Sequence, residues 1–153
     1  MQITIAGEYA IRAMLFLAEQ PFGKIFQTSQ IALEAEIPKP FLRKILSILT
    51  KAELVESTRG IGGGIKLTKS ATEINLLEIV EAIDGKILFN KCFFEPNFCH
   101  RTNWCSVHAV WSEAQNLVQN LLQSKTLYNL VLLNKTKKSC LNSKTLINTL
   151  DNI

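Results

Sequence analysis

The sequence predicts a mainly α fold with a small β wing: a winged helix-turn-helix followed by a long C-terminal dimerisation helix. Three observations carry that prediction. Two helix-like stretches meet at the short turn Ile37-Pro38, and the second of them is basic along one face. The glycine run Gly60-Ile61-Gly62-Gly63-Gly64 lies between two short strand-like stretches. From Val107 to Leu122, apolar residues recur in steps of three and four, the period of one face of a long helix.

Taken in order, Tyr9 to Glu19 is apolar almost all round (Ile11, Met14, Leu15, Phe16, Leu17), which predicts a buried first helix ending before Pro21-Phe22-Gly23. A second helix is expected over Gln30 to Glu36, capped by Thr28 or Ser29. Pro40 is tolerated at the start of a third, because its missing N–H has no helical partner there. That third helix runs to about Ala52, with Phe41, Leu42, Ile45, Ile48, Leu49 and Ala52 on the packed face and Arg43, Lys44, Ser47 and Lys51 on the other. Two helices joined by a short turn, the second with a free basic face, match the arrangement in which the second helix enters a major groove.

Leu54 to Ser57 and Ile65 to Thr68 are then the two strands of a wing. Gly60, Gly62, Gly63 and Gly64 leave its tip free of side chains, and Arg59 is placed to enter a minor groove, whose negative potential attracts arginine. A nucleotide-phosphate cradle is the competing reading of such a run, but no Gly-Lys-Ser/Thr follows it. Leu76 to Ile83 forms a short helix closed by Asp84-Gly85, and Thr126 to Leu133 forms a final one. The stripe from Val107 to Leu122 reads either as an ordinary core helix or as a dimer seam, which a DNA reader needing two half-sites requires. Expected domains are 1–89 (winged-helix DNA-binding domain), 90–105 (cluster-binding loop), 106–134 (dimerisation helix and short final helix) and 135–153 (polar tail).

Composition agrees with this outline. A chain of 153 residues, 47% hydrophobic and 20% charged, suits one globular domain with an appended helix. At that size roughly two-thirds of the unfolded surface is buried, so no disulfide is needed for folding. The net charge of +4 is unevenly spread. Lys39 to Lys69 holds seven bases (Lys39, Arg43, Lys44, Lys51, Arg59, Lys66, Lys69) against two acids, Glu53 and Glu56. Ser70 to Phe89 is acidic, with Glu73, Glu78, Glu81 and Asp84 against Lys86. Local basic charge is what a phosphate-binding surface needs, although charge alone is equally the mark of a solvated face. Met1 to Ile5 has no basic export signal, and no run approaches the ~20 apolar residues of a membrane span. The expected compartment is the reducing cytoplasm, where clustered cysteines bind metal or do redox chemistry more often than they form disulfides. In an oxidising compartment the four could still pair.

Cys92, Cys99 and Cys105 are separated by six and five residues, and His108 stands three beyond the last. Thiolates are soft ligands for iron–sulfur clusters and zinc, and such gaps let one loop fold around a small inorganic core. The tight C-x2-C pair usual for structural zinc is missing, which leaves a cluster ahead of zinc with His108 nearest as the fourth ligand. His100 reads as a neighbour and Cys140 as a spectator thiol in the tail. A catalytic Cys105–His108 pair lacks a third orienting group, so no enzyme is expected.

The residues Gly7-Glu8-Tyr9-Ala10-Ile11-Arg12-Ala13-Met14, the wing Leu54 to Gly64, the three cysteines, Cys105-Ser106-Val107-His108-Ala109-Val110-Trp111 and Thr126-Leu127 together resemble the bacterial winged-helix regulators of the IscR, NsrR and RirA type, from about Met1 to Leu133. The resemblance implies a homodimeric transcription factor on a palindromic double-stranded DNA operator, with an iron–sulfur cluster that sets its DNA affinity in response to redox, nitric oxide or iron status. Carried over by position, Cys92, Cys99 and Cys105 are the cluster ligands. His108 matches the histidine of the IscR branch, and Glu8 matches a position at which other branches supply a carboxylate from the partner subunit. [2Fe-2S] stands slightly ahead of [4Fe-4S]. Expected DNA contacts are Lys39, Arg43, Lys44, Ser47, Lys51, Arg59, Gly60, Gly62 and Gly63. Arg43 stands where the IscR branch has an acid, and the first cysteine gap is one residue longer, so operator sequence does not transfer. The alternatives are a metal-free or zinc-bound winged-helix regulator controlled by a metabolite or partner protein, and a small electron-transfer protein that does not bind DNA.

Overall fold

The computed structural model describes residues 3–93 and 98–137. Helix α1 spans Ile5–Ala18, four residues ahead of its expected start. Thr4 is the cause: its Oγ1 accepts from the Gly7 N–H at 3.1 Å, satisfying one of the free donors of the first turn. Asp84 holds Thr4 in place, accepting from its backbone N at 3.1 Å and its hydroxyl at 2.6 Å. Gly7 lets the two segments approach this closely, since a β-carbon there would lie 2.5 Å from the Asp84 carboxylate.

Helix α2 (Thr28–Glu34) also begins earlier than expected, because Gln27 rather than Thr28 or Ser29 caps it. The Gln30 carboxamide accepts from the Gln27 N–H at 2.9 Å. Helix α3 spans Lys39–Lys51. Both helices end in the same way. Glu36 (φ 54°) and Glu53 (φ 58°) take up the left-handed conformation, and the next residue donates back across the turn, Ile37 N to Ala32 O at 2.9 Å and Leu54 N to Leu49 O at 3.0 Å. This is the Schellman closure usually built with glycine. The first closure sets the angle between α2 and α3.

The buried face of α3 differs from the expected one. Leu42, Ile45, Leu46 and Leu49 are buried, whereas Phe41, Ile48 and Ala52 are exposed. Phe41 instead meets Tyr9 of α1 edge-on, with ring centroids 6.3 Å apart. Strands β1 (Val55–Thr58) and β2 (Gly64–Leu67) each lie one residue away from the expected spans and pair antiparallel, Val55 opposite Leu67 and Thr58 opposite Gly64. Phe26 adds a further bridge to Ile65 on the free side of β2, with reciprocal hydrogen bonds of 2.9 and 2.8 Å. The wing is thereby tied to the chain just ahead of α2.

Helix α4 spans Leu76–Asp84, capped by a reciprocal pair in which Asn75 accepts from Glu78 N at 3.0 Å and Glu78 accepts from Asn75 N at 2.8 Å. After the cysteine segment, α5 spans Ser106–Gln123, and 127–137 form α6 to the end of the described residues. Helix α1 is central and packs against α2, α3, α4 and β2. Its Ala10, Ala13, Met14 and Leu17 share one core with Ile31, Leu42, Leu49, Val55, Ile65, Ile74 and Ile79. Leu127 of α6 belongs to that core as well, guided there by Leu127 N to Ile74 O at 2.9 Å and Leu76 N to Lys125 O at 2.8 Å. Helix α5 by contrast has no buried residue in this chain. Among the described residues no helix is long and apolar enough to cross a membrane. Cys140 and the rest of the expected tail beyond 137 lie outside the described residues.

Candidate functional site

The exposed face of α3 carries the expected reader. Lys39, Arg43, Lys44, Ser47 and Lys51 are all exposed. Arg43, Ser47 and Lys51 recur every fourth residue and so form one line along the helix. That line is one wall of an open groove of about 370 Å³, whose other wall includes Thr28 of α2 and Ser57 of β1. Thr28, Thr50 and Ser57 were not anticipated as groove residues. Only the docking of the wing beside α2, through Phe26 and Gln27, brings Thr28 and Ser57 opposite α3. Among the described residues the one ion pair joins Lys66 to Glu56 across the wing at 3.2 Å, which leaves Lys39, Arg43, Lys44, Lys51 and Arg59 without an acidic partner.

At the wing tip Arg59, Gly60 and Gly62 are exposed, and Gly60 (φ 97°) and Gly62 (φ 81°) hold a left-handed backbone that favours glycine. Gly63 departs from expectation. It is buried, so it is placed to shape the wing rather than to touch DNA. A β-carbon on it would run into the Thr58 carbonyl oxygen, and its own carbonyl accepts a hydrogen bond from Gln27 Nε2.

The second constellation lies at the head of α5. Cys92 sits in the single 3-10 turn Lys91–Phe93, Thr102–Trp104 form another such turn, and Cys105 is the residue immediately before α5. His108 occupies the first turn of α5. The three thiols are half-buried and unbridged. Cys92, Cys99, Cys105 and His108 line one cavity of about 210 Å³, with Asn90, Phe98, Thr102, Val107 and Trp111. The Cys99 carbonyl accepts from Thr102 Oγ1 at 2.8 Å and from Thr102 N at 3.3 Å, fixing the Cys99 backbone. The His108 ring lies against Phe93 with centroids 4.9 Å apart, and Trp111 stacks on Phe89 at 6.4 Å. Phe89, Phe93 and Phe98 were absent from the expected site because no periodic signal marks residues of an irregular segment, and Trp111 was read as part of the apolar stripe of α5.

Among the described residues no three His, Cys, Asp or Glu side chains converge on a position for one metal ion. The thiols and imidazole line one largely apolar cavity, and by donor type they fit an iron–sulfur core or zinc. Glu8 is exposed on the first turn of α1 and does not line the cavity of its own chain.

An exposed basic face on α3, a glycine-tipped wing anchored beside it and a following helix with an exposed apolar stripe define a winged-helix, DNA-binding regulator of transcription. The model of the Rrf2 family, described as iron-dependent transcriptional regulators, matches residues 3–132. The chain belongs to that family, whose members are regulators and not enzymes. It is 33% identical over 146 residues to the HTH-type transcriptional regulator NsrR of Shouchella clausii, which covers 95% of this chain and 98% of that protein. Among solved structures it resembles CymR, the global cysteine regulator of B. subtilis, with a TM-score of 0.71 at 23% identity over 87% of this chain and 98% of that one. It also resembles IscR of T. potens, with a TM-score of 0.68 at 24% identity over 91% and 90% of the two chains. These two likenesses confirm the fold.

Proposed function

We propose that the protein is a homodimeric cytoplasmic regulator whose operator affinity is set by an iron–sulfur cluster held by Cys92, Cys99 and Cys105. The observation that carries the reading is the shared cavity: thiols separated by six and five residues of chain, together with His108, face one space at the head of an exposed apolar helix. His108 supports ligation from within one chain, and its match to the histidine of the IscR branch favours a [2Fe-2S] centre. Glu8, if it takes part, must come from the second copy. When bound, the cluster supplies a centre sensitive to oxygen, nitric oxide or iron supply.

The chain's own residues carry the remaining steps. Phe98, Val107 and Trp111 wall the cavity and limit water, and the hydrogen bonds of Thr102 keep Cys99 in place. Gln115 Oε1 accepts from Phe89 N at 3.3 Å, and Gln119 Nε2 donates to Ile87 O at 3.4 Å, fastening the chain that leads into the loop onto α5. A change in loop conformation is thereby passed to α5. Val107, Val110, Trp111, Leu117 and Leu121 are exposed on that helix and supply the contact with a second copy. Two α3 helices must lie ~34 Å apart to meet successive major grooves, so a shift of α5 against the reader alters that spacing. Lys39, Arg43, Lys44, Ser47, Lys51, Arg59, Gly60 and Gly62 make the DNA contacts. On this reading 1–89 read DNA, 90–105 hold the cluster and 106–134 join the copies.

Anaerobically purified protein should be coloured, with iron and acid-labile sulfide in matching amounts. Cys99→Ala should lose the colour and change operator affinity. Comparison of His108→Ala with Glu8→Ala identifies the fourth ligand. A colourless wild-type protein holding zinc or no metal would overturn the cluster reading in favour of a regulator controlled by a metabolite or partner protein.

A further inference from the structure

The tip of the wing carries an aliphatic side chain that nothing among the described residues covers. Ile61 is 111% exposed relative to a free residue, and the positions where Gly60 or Gly62 would carry a β-carbon are open space. The turn does not call for isoleucine. Gly63 N donates to Gly60 O at 3.0 Å and Gly62 has φ 81°, so Gly60-Ile61-Gly62-Gly63 is a type II turn with Ile61 at its second position, where a polar residue or proline serves equally well.

The tip is also held firmly. Gln27 Nε2 donates to the Gly63 carbonyl, and Phe26 pairs with Ile65 just behind the turn. These two attachments belong to the segment entering α2, so the wing keeps a set position beside the groove lined by Arg43, Ser47 and Lys51. Arg59, exposed and two residues before Ile61, gives the same tip a cation. The exposed side chains of α5 recur at helical spacing and are taken up by the proposed contact with a second copy. Ile61 stands apart from that stripe, on the element aimed at nucleic acid.

We infer that Ile61 is an apolar wedge: resting on the DNA-reading function, it enters the minor groove beside Arg59 and partly unstacks a flexible pyrimidine–purine step at the operator's edge. Isoleucine is among the side chains that insert in this way, and TA and CA/TG steps yield to it at the lowest cost. Ile61 thus supplies a preference for deformable sequence at a position read without base hydrogen bonds, whereas Arg59 supplies attraction to a narrow groove.

The test uses full-length protein and duplexes selected by the wild type from a random-sequence pool, with 2-aminopurine placed in turn at each flanking TA or CA step. Wild type should raise the fluorescence at one step on each side. Ile61→Ser should abolish that rise and weaken binding roughly 5- to 20-fold, with an unchanged salt slope because no phosphate contact is lost. Ile61→Leu should restore both readouts. Ile61 is fully exposed, so thermal melting of the variants should match wild type. Binding by Ile61→Ser within twofold of wild type, or weakened binding with a flat fluorescence signal at every step for the wild type, would overturn the wedge while leaving DNA reading intact. A wild type that selects no duplex from the pool either as purified anaerobically or after removal of bound metal would overturn the DNA reading itself, and the wedge with it.

Discussion

Replacing Gly63 with Ala separates the shape of the wing from its direct contacts. The added β-carbon would collide with the Thr58 carbonyl oxygen and lie 2.9 Å from the carbonyl carbons of Thr58 and Arg59. All three are backbone atoms, so no side-chain rotation relieves the clash and the turn must part from the end of β1. Two hydrogen bonds are then at risk, Gly63 N to Gly60 O at 3.0 Å and Gln27 Nε2 to Gly63 O. At about 0.5–1.5 kcal/mol net for each bond, the loss comes to about 1–3 kcal/mol. For a protein of this size that corresponds to a melting temperature lower by about 2–12 °C. The displaced wing carries Arg59 with it, and loss of one charge-assisted contact worth about 1.5–3 kcal/mol weakens DNA binding roughly 10- to 150-fold. Thermal unfolding followed by circular dichroism, together with fluorescence anisotropy on duplex DNA at several salt concentrations, measures both effects. Arg59→Ala is the comparator: it should lose comparable affinity with no change in melting and with a shallower salt slope. A Gly63→Ala protein that melts like wild type would refute the steric argument. If that protein also lost DNA binding, Gly63 would have to be a direct contact after all.

Three further outcomes are expected. Leu127→Ala, at a fully buried side chain of α6, should cost about 2–5 kcal/mol in urea unfolding, whereas the exposed Leu133→Ala should stay within about 0.5 kcal/mol of wild type; a loss below about 1 kcal/mol for Leu127→Ala would show that α6 does not belong to the core. Glu53→Gly should stabilise the protein by about 0.5–1 kcal/mol, because glycine accepts the left-handed conformation at φ 58° without a side-chain penalty; unchanged or reduced stability in the same unfolding assay would count against the Schellman assignment. Leu117→Glu, on the exposed face of α5, should move the mass measured by light scattering from dimer to monomer, whereas Leu33→Glu on α2 should not; a dimer surviving in Leu117→Glu would place the seam elsewhere.

Local rules made much of this molecule readable in advance. The basic face of α3, the proline at its start and the exposed tip glycines Gly60 and Gly62 each depend on a few residues, and each appears where it was expected. The stripe on α5 was equally readable: the helix spans Ser106–Gln123 and its apolar residues Val107, Val110, Leu117 and Leu121 are exposed. Errors gather where a distant residue intervenes. Helix α1 starts at Ile5 because Asp84 fixes its cap Thr4, and Asp84 on its own reads only as the end of α4. On α3, Leu46 displaces Phe41 and Ile48 from the buried face because the final orientation of the helix depends on α1 and the wing. Gly63 reads as part of a bare tip, yet Gln27 Nε2 and the Thr58 carbonyl make it the turn's inner corner.

Residue types and spacing were enough to indicate a helix with a free basic face, a glycine-tipped wing and three cysteines in one loop, because helical period, turn chemistry and thiol spacing belong to residues and their near neighbours. Tertiary packing alone decided that Thr28 and Ser57 stand opposite Arg43, that His108 and not Glu8 shares the cysteine cavity of its own chain, and that α6 closes the core while α5 stays uncovered. These are relations between separate elements, from 14 residues apart for Arg43 and Ser57 to 53 for Ile74 and Leu127. They arise from how apolar faces fit together once formed, and no local pattern encodes that fit.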